Sequence, residues 1–210
     1  MIFSNRTEAG RLLARKLKRY AGADAVVLGV PRGGVPVAGA VAADLGLPLD
    51  VVMVKKIGHP YQPEYAIGAV SLSDRIIVPH DEVSDEYIEE RTAAIRQKMA
   101  GQYQYWRGDR PAPSLQAKIV IVVDDGIATG NTLMAAVKLL RKQMPAKIVI
   151  AAPVSSGQAA SQLAEMADEL VTVFIPPQFR GVGAWYEQFE QLSDEDVRQY
   201  LAAFEKGSLS

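Results

Sequence analysis

The chain has no cysteine among its 210 residues and only two histidines, His59 and His80. The first absence excludes disulfides, a thiolate nucleophile and a zinc ribbon. The second leaves little from which to build a serine–histidine triad, and no G-x-S-x-G elbow is present, so a hydrolase of a phosphorylated sugar or ester is poorly supported. Neither sign of charge is in excess: 23 Lys and Arg stand against 24 Asp and Glu, a net charge of −1. That balance offers no electrostatic reason to bind nucleic acid or an acidic membrane, and no helix-turn-helix pattern is visible. Long apolar runs are missing too; none approaches the roughly 20 residues needed to span a bilayer. The opening residues, "MIFSNRTEAGRLLARKLKRYAG", are basic but lack the apolar stretch and small-residue cleavage site of an export signal. A cytoplasmic enzyme or binding protein fits these exclusions.

What is present is 49% hydrophobic and long enough for one substantial core. Leu12, Leu13 and Leu17 recur at helical spacing, which predicts a docked N-terminal helix capped near Asn5 or Thr7. Apolar runs at 25–30, 49–54, 117–123, 146–154 and 169–175 read as buried strands. Helical stretches lie between them, after "PRGG" up to Gly46 and at 131–143 and 156–167. Apolar runs without polar alternation, linked by helices, indicate a mostly parallel sheet covered on both faces. The pattern lapses between 56 and 116, where a short strand pair and a polar helix at about 84–105 are expected. The expected organisation is one α/β domain over 1–210. Its core covers about 22–56 and 116–175, an insertion 57–115, and a small hood with a C-terminal helix 176–210.

The most informative stretch is "VIVVDDGIATGNTLMAAVKLL", residues 120–140. A buried strand ends on Asp124 and Asp125, a compact loop follows, and a helix begins near Asn131. In an open α/β sheet, ligands bind outside the carboxyl ends of the strands. The loop is small enough for its backbone N–H groups to converge on an anion, Thr129 and Thr132 add hydroxyls, and the helix N-terminus adds its positive end. Two carboxylates beside that cradle would repel a second phosphate. They suit vicinal hydroxyls, or water-mediated contact with Mg²⁺. Phosphate next to a diol describes a ribose 5-phosphate. The plain alternative is a strand-to-helix turn whose aspartates cap a helix. A Walker loop is excluded because Asn131 stands where lysine is required, and neither "GVPRGG" nor "GIATGN" matches the dinucleotide fingerprint G-x-G-x-x-G.

A second element, "GVPRGGVPV" at 29–37, follows the first core strand. Gly33 and Gly34 permit close backbone approach to a ligand, and Arg32 offers a planar fork for phosphate oxygens. Lys55 and Lys56 in "VKKIGHP" fall at the end of the second core strand; adjacent lysines are otherwise ordinary solvated surface. Tyr87, Arg91, Arg96, Tyr103 and Trp106 on the polar helix suit a lid or subunit interface, or plain packing. Phe179, Trp185 and Tyr186 in "IPPQFRGVGAWYEQF" either stack on a flat substrate or plug the end of the sheet.

With these residues in view, "VIVVDDGIATGNT" resembles the phosphoribosyl pyrophosphate motif of the type I phosphoribosyltransferases. The likeness runs over about 25–175 and is nearest to bacterial members that share "VPRGGVPVA" and "DDGIATG". The resemblance implies that Asp124 and Asp125 bind the ribose hydroxyls and that Ala128, Thr129, Gly130, Asn131 and Thr132 cradle the 5-phosphate. It further implies that the Arg32–Gly34 loop, often with a non-proline cis peptide, holds the pyrophosphate with a basic residue nearby, here Lys56. "GHPYQPEYAIGAVS" resembles the family's mobile closing loop, in which His59 could protonate a leaving group. Mg²⁺ is expected to arrive through the substrate, with no direct protein ligand, near Asp124 and Asp125. A nitrogenous small-molecule acceptor and a homodimer are implied with it. Hypoxanthine-type members carry aspartate where this chain has Ala128; alanine resembles the adenine-type loop and argues against a 6-oxopurine acceptor. The other reading the family allows is a regulator that senses phosphoribosyl pyrophosphate or a nucleotide without catalysis.

Overall fold

The order of elements follows the alternation of apolar runs and helical stretches. A computed structural model describes residues 1–79 and 83–207, so His80 lies outside the described residues. The chain runs α1 (Arg6–Lys16), β1 (Ala25–Gly29), α2 (Gly34–Leu45), β2 (Leu49–Val51). It continues through β3 (Lys55–Gly58), β4 (Ala66–Val70), β5 (Arg75–Ile77) and α3 (Asp85–Arg107). It closes with β6 (Ile119–Val123), α4 (Asn131–Arg141), β7 (Lys147–Val154), α5 (Gly157–Met166), β8 (Glu169–Phe174) and α6 (Asp194–Glu205).

Five strands pair in parallel in the order β2–β1–β6–β7–β8. Successive side chains on a strand point to opposite faces. Accordingly Val26, Leu28, Val120, Val122, Ile148 and Ile150 pack with α4 and α5, whereas Val27, Ile121, Val123, Val149 and Ala151 pack with α1 and α2. Burial on both faces is why these runs show no polar alternation. Asn5 caps α1, its side chain accepting from the Glu8 amide at 2.9 Å, and Gly46 closes α2.

Two expectations about the insertion need correction. The second core strand ends at Val51, not at residue 54; Val52 makes one last bond to Gly29 O (3.0 Å) and the chain leaves the sheet. The short strand pair is a three-stranded antiparallel sheet, β3–β4–β5, and Lys55 and Lys56 open its first strand instead of ending β2. This second sheet buries Ile57, Ile67 and Val70 against Met99 and Trp106 of α3, with Val197 and Leu201 of α6 completing the layer. The polar helix therefore has an apolar stripe, and the core it covers also takes in Val35 of α2 and Val51 of β2. A buried ion pair joins α3 to the edge strand of the main sheet: Arg107 donates to Asp50, which also accepts from the Tyr103 hydroxyl at 2.8 Å.

Candidate functional site

The parallel sheet brings the turns after β1 and β6 side by side at its carboxyl edge. Val30 N donates to Val123 O (2.8 Å), so the two turns leave the sheet together. Gly33 and Gly34 lie directly against the acid pair: a Cβ on Gly33 would run into the Asp125 carboxylate, and one on Gly34 would come within 2.6 Å of Val123 O. Close approach, not unusual dihedrals, is what these glycines supply; Gly33 sits at φ −60°, in the ordinary helical region. The Pro31–Arg32 peptide is cis.

After β6, the loop 124–130 is held by its neighbours. Asp124 N donates to Ala151 O (3.1 Å), Ile127 N to Val154 O (2.9 Å), and Ser156 N to Ile127 O (2.8 Å). The Ser156 hydroxyl donates to Ala128 O (2.6 Å), and the Tyr186 hydroxyl to Asp125 O (2.6 Å). Gly130, left-handed at φ 74°, turns the chain into α4 without a side-chain cap. No amide from Ala128 to Thr132 donates to a protein acceptor among the described residues. Five consecutive backbone donors at the start of a helix are thus left without a protein acceptor, the condition under which a helix N-terminus can bind an anion.

The acid pair itself is asymmetric. Asp125 is buried and accepts from Arg6 Nε at 2.8 Å, while Asp124 has only the Asp125 amide (2.8 Å) on its Oδ1. Burial, and then the Asp125 charge beside it, push the Asp124 carboxyl up to about 8. Burial raises Asp125 as well, and the Arg6 hydrogen bond opposes it.

Beside the pair lies a cleft of about 950 Å³, walled by the second sheet and the start of α4. Gly33, Lys56, Asp124, Asp125, Asn131 and Thr132 line it. A second pocket of about 540 Å³ shares Pro31, Gly33, Lys55 and Asp125 with the cleft and is closed by residues 189–192. Arg32 lines only this second pocket; its Nε donates to Asp194 (2.9 Å) and its Nη1 to Leu192 O (3.2 Å). Lys56 is engaged with Glu64 across the hairpin (2.7 Å), whereas Lys55 has no carboxylate partner among the described residues. The stretch compared with a closing loop takes in the end of β3 and all of β4, with 59–65 as the tip between them. His59 there accepts from the Tyr61 amide (3.3 Å) and does not line the cleft.

The hood aromatics pack together in one apolar cluster, Tyr186 buried and Phe179 and Trp185 partly so. Tyr186 is buried between Phe3 and Phe189, with ring centroids 5.3 and 5.0 Å away, and Trp185 meets Phe174 edge-on at 5.4 Å. They close the end of the sheet. Tyr87, Arg96 and Trp106 likewise serve packing and hydrogen bonding inside the insertion, and Tyr103 ties it to Asp50 of β2. Arg6, Ser156 and Phe189 were not legible as site residues. Each acts across more than 25 positions of sequence, and only helical periodicity was readable near Arg6.

With this geometry in hand, comparison with known proteins is specific. The family model described as "Phosphoribosyl transferase domain" matches residues 2–180. A Mycobacterium tuberculosis protein described as a candidate phosphoribosyl transferase is 39% identical over 209 residues, covering 95% of this chain and 46% of its own length. The chain therefore spans about half the length of the curated relatives it matches. A ribose-phosphate pyrophosphokinase of Pyrococcus furiosus is 28% identical over 176 residues, 70% of this chain and 62% of that protein. A Thermus thermophilus protein of known crystal structure superposes with a TM-score of 0.86 at 38% identity, covering 97% of this chain and 99% of the other.

Proposed function

Because the chain belongs to the phosphoribosyl transferase family, we propose that it moves the phosphoribosyl group of phosphoribosyl pyrophosphate to a nitrogen nucleophile. In that reaction the bond from C1 to pyrophosphate breaks, its electron pair leaves with the pyrophosphate, and a C1–N bond forms while the acceptor nitrogen loses a proton.

The observation that carries this reading is the row of amides from Ala128 to Thr132, without a protein acceptor among the described residues, whose Asn131 and Thr132 line the same cleft as the acid pair. The amides would take the 5-phosphate and the aspartates the ribose hydroxyls. A carboxylate accepts hydrogen bonds from a diol well, and a helix N-terminus binds an anion without a basic side chain. The loop 31–34, in contact with the aspartates, would meet the pyrophosphate, with Lys55, a cation without a carboxylate partner among the described residues, beside it. These donors are held in place before reaction, so they stabilise departing charge with little reorganisation.

Among the described residues no group of three or more His, Asp or Glu could hold a metal. Asp124 and Asp125 alone do not make a Mg²⁺ cage. A Mg²⁺ borne by the pyrophosphate fits them better, and it would supply neutralisation of the leaving group. A homodimer and a cytoplasmic setting belong to this reading through family likeness alone.

The test is to incubate the protein with phosphoribosyl pyrophosphate, Mg²⁺ and a pool of bases and amines, and to read product masses and pyrophosphate release. A phosphoribosylated product supports the reading. Tight binding with no pyrophosphate released identifies a sensor, and ribose 5-phosphate as sole product a hydrolase; either result overturns transfer.

A further inference from the structure

Three cations line the 540 Å³ pocket, Arg6, Arg32 and Lys55, and only Arg6 touches the acid pair. It is the first residue of α1, 119 positions away from its partner, and its side chain is 11% exposed. Its guanidinium is fixed at three points. Nε donates to Asp125 Oδ2 at 2.8 Å, Nη1 donates to Glu190 O at 3.0 Å, and the flat face lies 3.9 Å from the Phe189 ring centroid. Phe189 in turn stacks on Tyr186, whose hydroxyl donates to Asp125 O. Both the side chain and the carbonyl of Asp125 are thus held from the hood side.

The packing of α1 supports this placement independently. Gly10 lies so close to α2 that a Cβ there would come within 2.7 Å of Val37 O and of the Ala40 methyl. The helix carrying Arg6 is therefore seated directly on the helix that begins at Gly34, beside the acid pair.

We infer that Arg6 is a positioning residue of the site: it holds the Asp125 carboxylate in the orientation that accepts from the ribose hydroxyls and links it to the wall of the second pocket. The inference rests on the function proposed above. A carboxylate has about four acceptor positions, and Arg6 takes one of them, while Asp125 also lines the cleft, where acceptor capacity remains for a ligand. Adjacent buried carboxylates otherwise tend to share a proton and to turn apart. Lysine would keep the charge but supply one point of contact where the planar fork supplies three.

The experiment compares wild type, Arg6→Gln, Arg6→Lys, Asp125→Asn and the Arg6→Gln/Asp125→Asn double variant, each checked for folding by circular dichroism. Calorimetric Kd for phosphoribosyl pyrophosphate with Mg²⁺ and the KM-against-kcat split are the readouts. Arg6→Gln is expected to weaken binding about ten- to a hundredfold, as loss of a hydrogen bond to a charged group does, with the change mainly in KM. Arg6→Lys is expected to recover part of the loss, and the double variant to bind no more weakly than Asp125→Asn alone. Wild-type affinity in a folded Arg6→Gln protein, or additive losses in the double variant, overturns the role of Arg6 while leaving the function standing. Should Arg6→Gln fail to fold, Arg6→Lys decides: affinity equal to wild type overturns the inference, and an intermediate loss supports it. No binding by wild type overturns the function itself, and the inference with it.

Discussion

At the scale of single residues, the acid pair works against the stability of the folded chain. Asp124 binds its proton more tightly in the folded chain than in the unfolded one, because burial and the neighbouring Asp125 charge disfavour its anion. A raised folded pKa on a carboxyl means that the folded state holds more protons than the unfolded state between the ordinary carboxylate range and about 8. Stability therefore falls as pH rises through that window. Asp124→Asn removes the ionisation. It is expected to raise the ligand-free Tm at pH 8 by roughly 2–4 °C, about what 1 kcal/mol gives a domain of this size, and to flatten the profile from pH 4 to 8. The same variant is expected to bind phosphoribosyl pyrophosphate more weakly. Tm profiles of variant and wild type that run parallel would remove this account of Asp124. The acid pair was readable as a pair; that one member pairs with Arg6 and the other does not depends on a contact across 119 residues.

At the scale of elements, two pieces frame the proposed site. The 128–132 loop depends on Ser156, whose hydroxyl donates to Ala128 O and also accepts from the Ala159 amide (3.2 Å) as the cap of α5. Ser156→Ala removes both bonds, with an expected loss of about 1 kcal/mol for the cap and a higher KM for phosphoribosyl pyrophosphate. Asn in its place is expected to restore the cap and not the loop contact, so Tm recovers while KM stays high. Thermal melts and initial rates on the two variants separate the effects; recovery of both by Asn would count against a role for the Ala128 bond. The other piece is the β3–β4 hairpin. Its strands are anchored by Ile57 and Ile67, both fully buried, but its tip at 59–65 is partly to fully exposed. Hydrogen exchange is expected to show fast exchange at the tip, slow exchange in the strands, and added protection of the tip once phosphoribosyl pyrophosphate and Mg²⁺ are present. Equal tip protection in both states would argue against closure over the cleft.

For the whole molecule, the insertion is a second layer whose apolar core is shared with Val35 of α2 and Val51 of β2, and a buried polar link crosses beside that contact. Asp50 and Arg107 are 4% and 9% exposed, and the Arg107 Nη2 reaches on to Pro111 O at 2.9 Å. Breaking such a pair from one side leaves a charge buried without compensation. Arg107→Leu is therefore expected to lose about 3–5 kcal/mol, whereas Arg107→Leu with Asp50→Leu should lose much less. Urea denaturation of the single and double variants measures both. Equal losses would mean that the pair does not hold the insertion.

The sequence by itself determined what depends on neighbours in the chain. Apolar runs without alternation specified strands buried on both faces, and Asn5 and Gly46 marked helix ends. The order acid, acid, small loop, helix marked a compact strand-to-helix turn beside two carboxylates, because each of its parts lies within a dozen residues. Only the tertiary structure decided what depends on distant parts meeting. It ended β2 at Val51, since Val52–Val54 cross to a sheet whose existence needs β4, β5 and α3 together. It turned Arg32 toward Asp194 and Lys56 toward Glu64, because a long cation goes to the nearest carboxylate in space and not along the chain. It packed Tyr186 and Trp185 into the sheet end, where burying their rings against Phe3, Phe174 and Phe189 is favourable without any ligand. It also set Arg6 against Asp125, through a close seating of α1 on α2 that no local pattern announces.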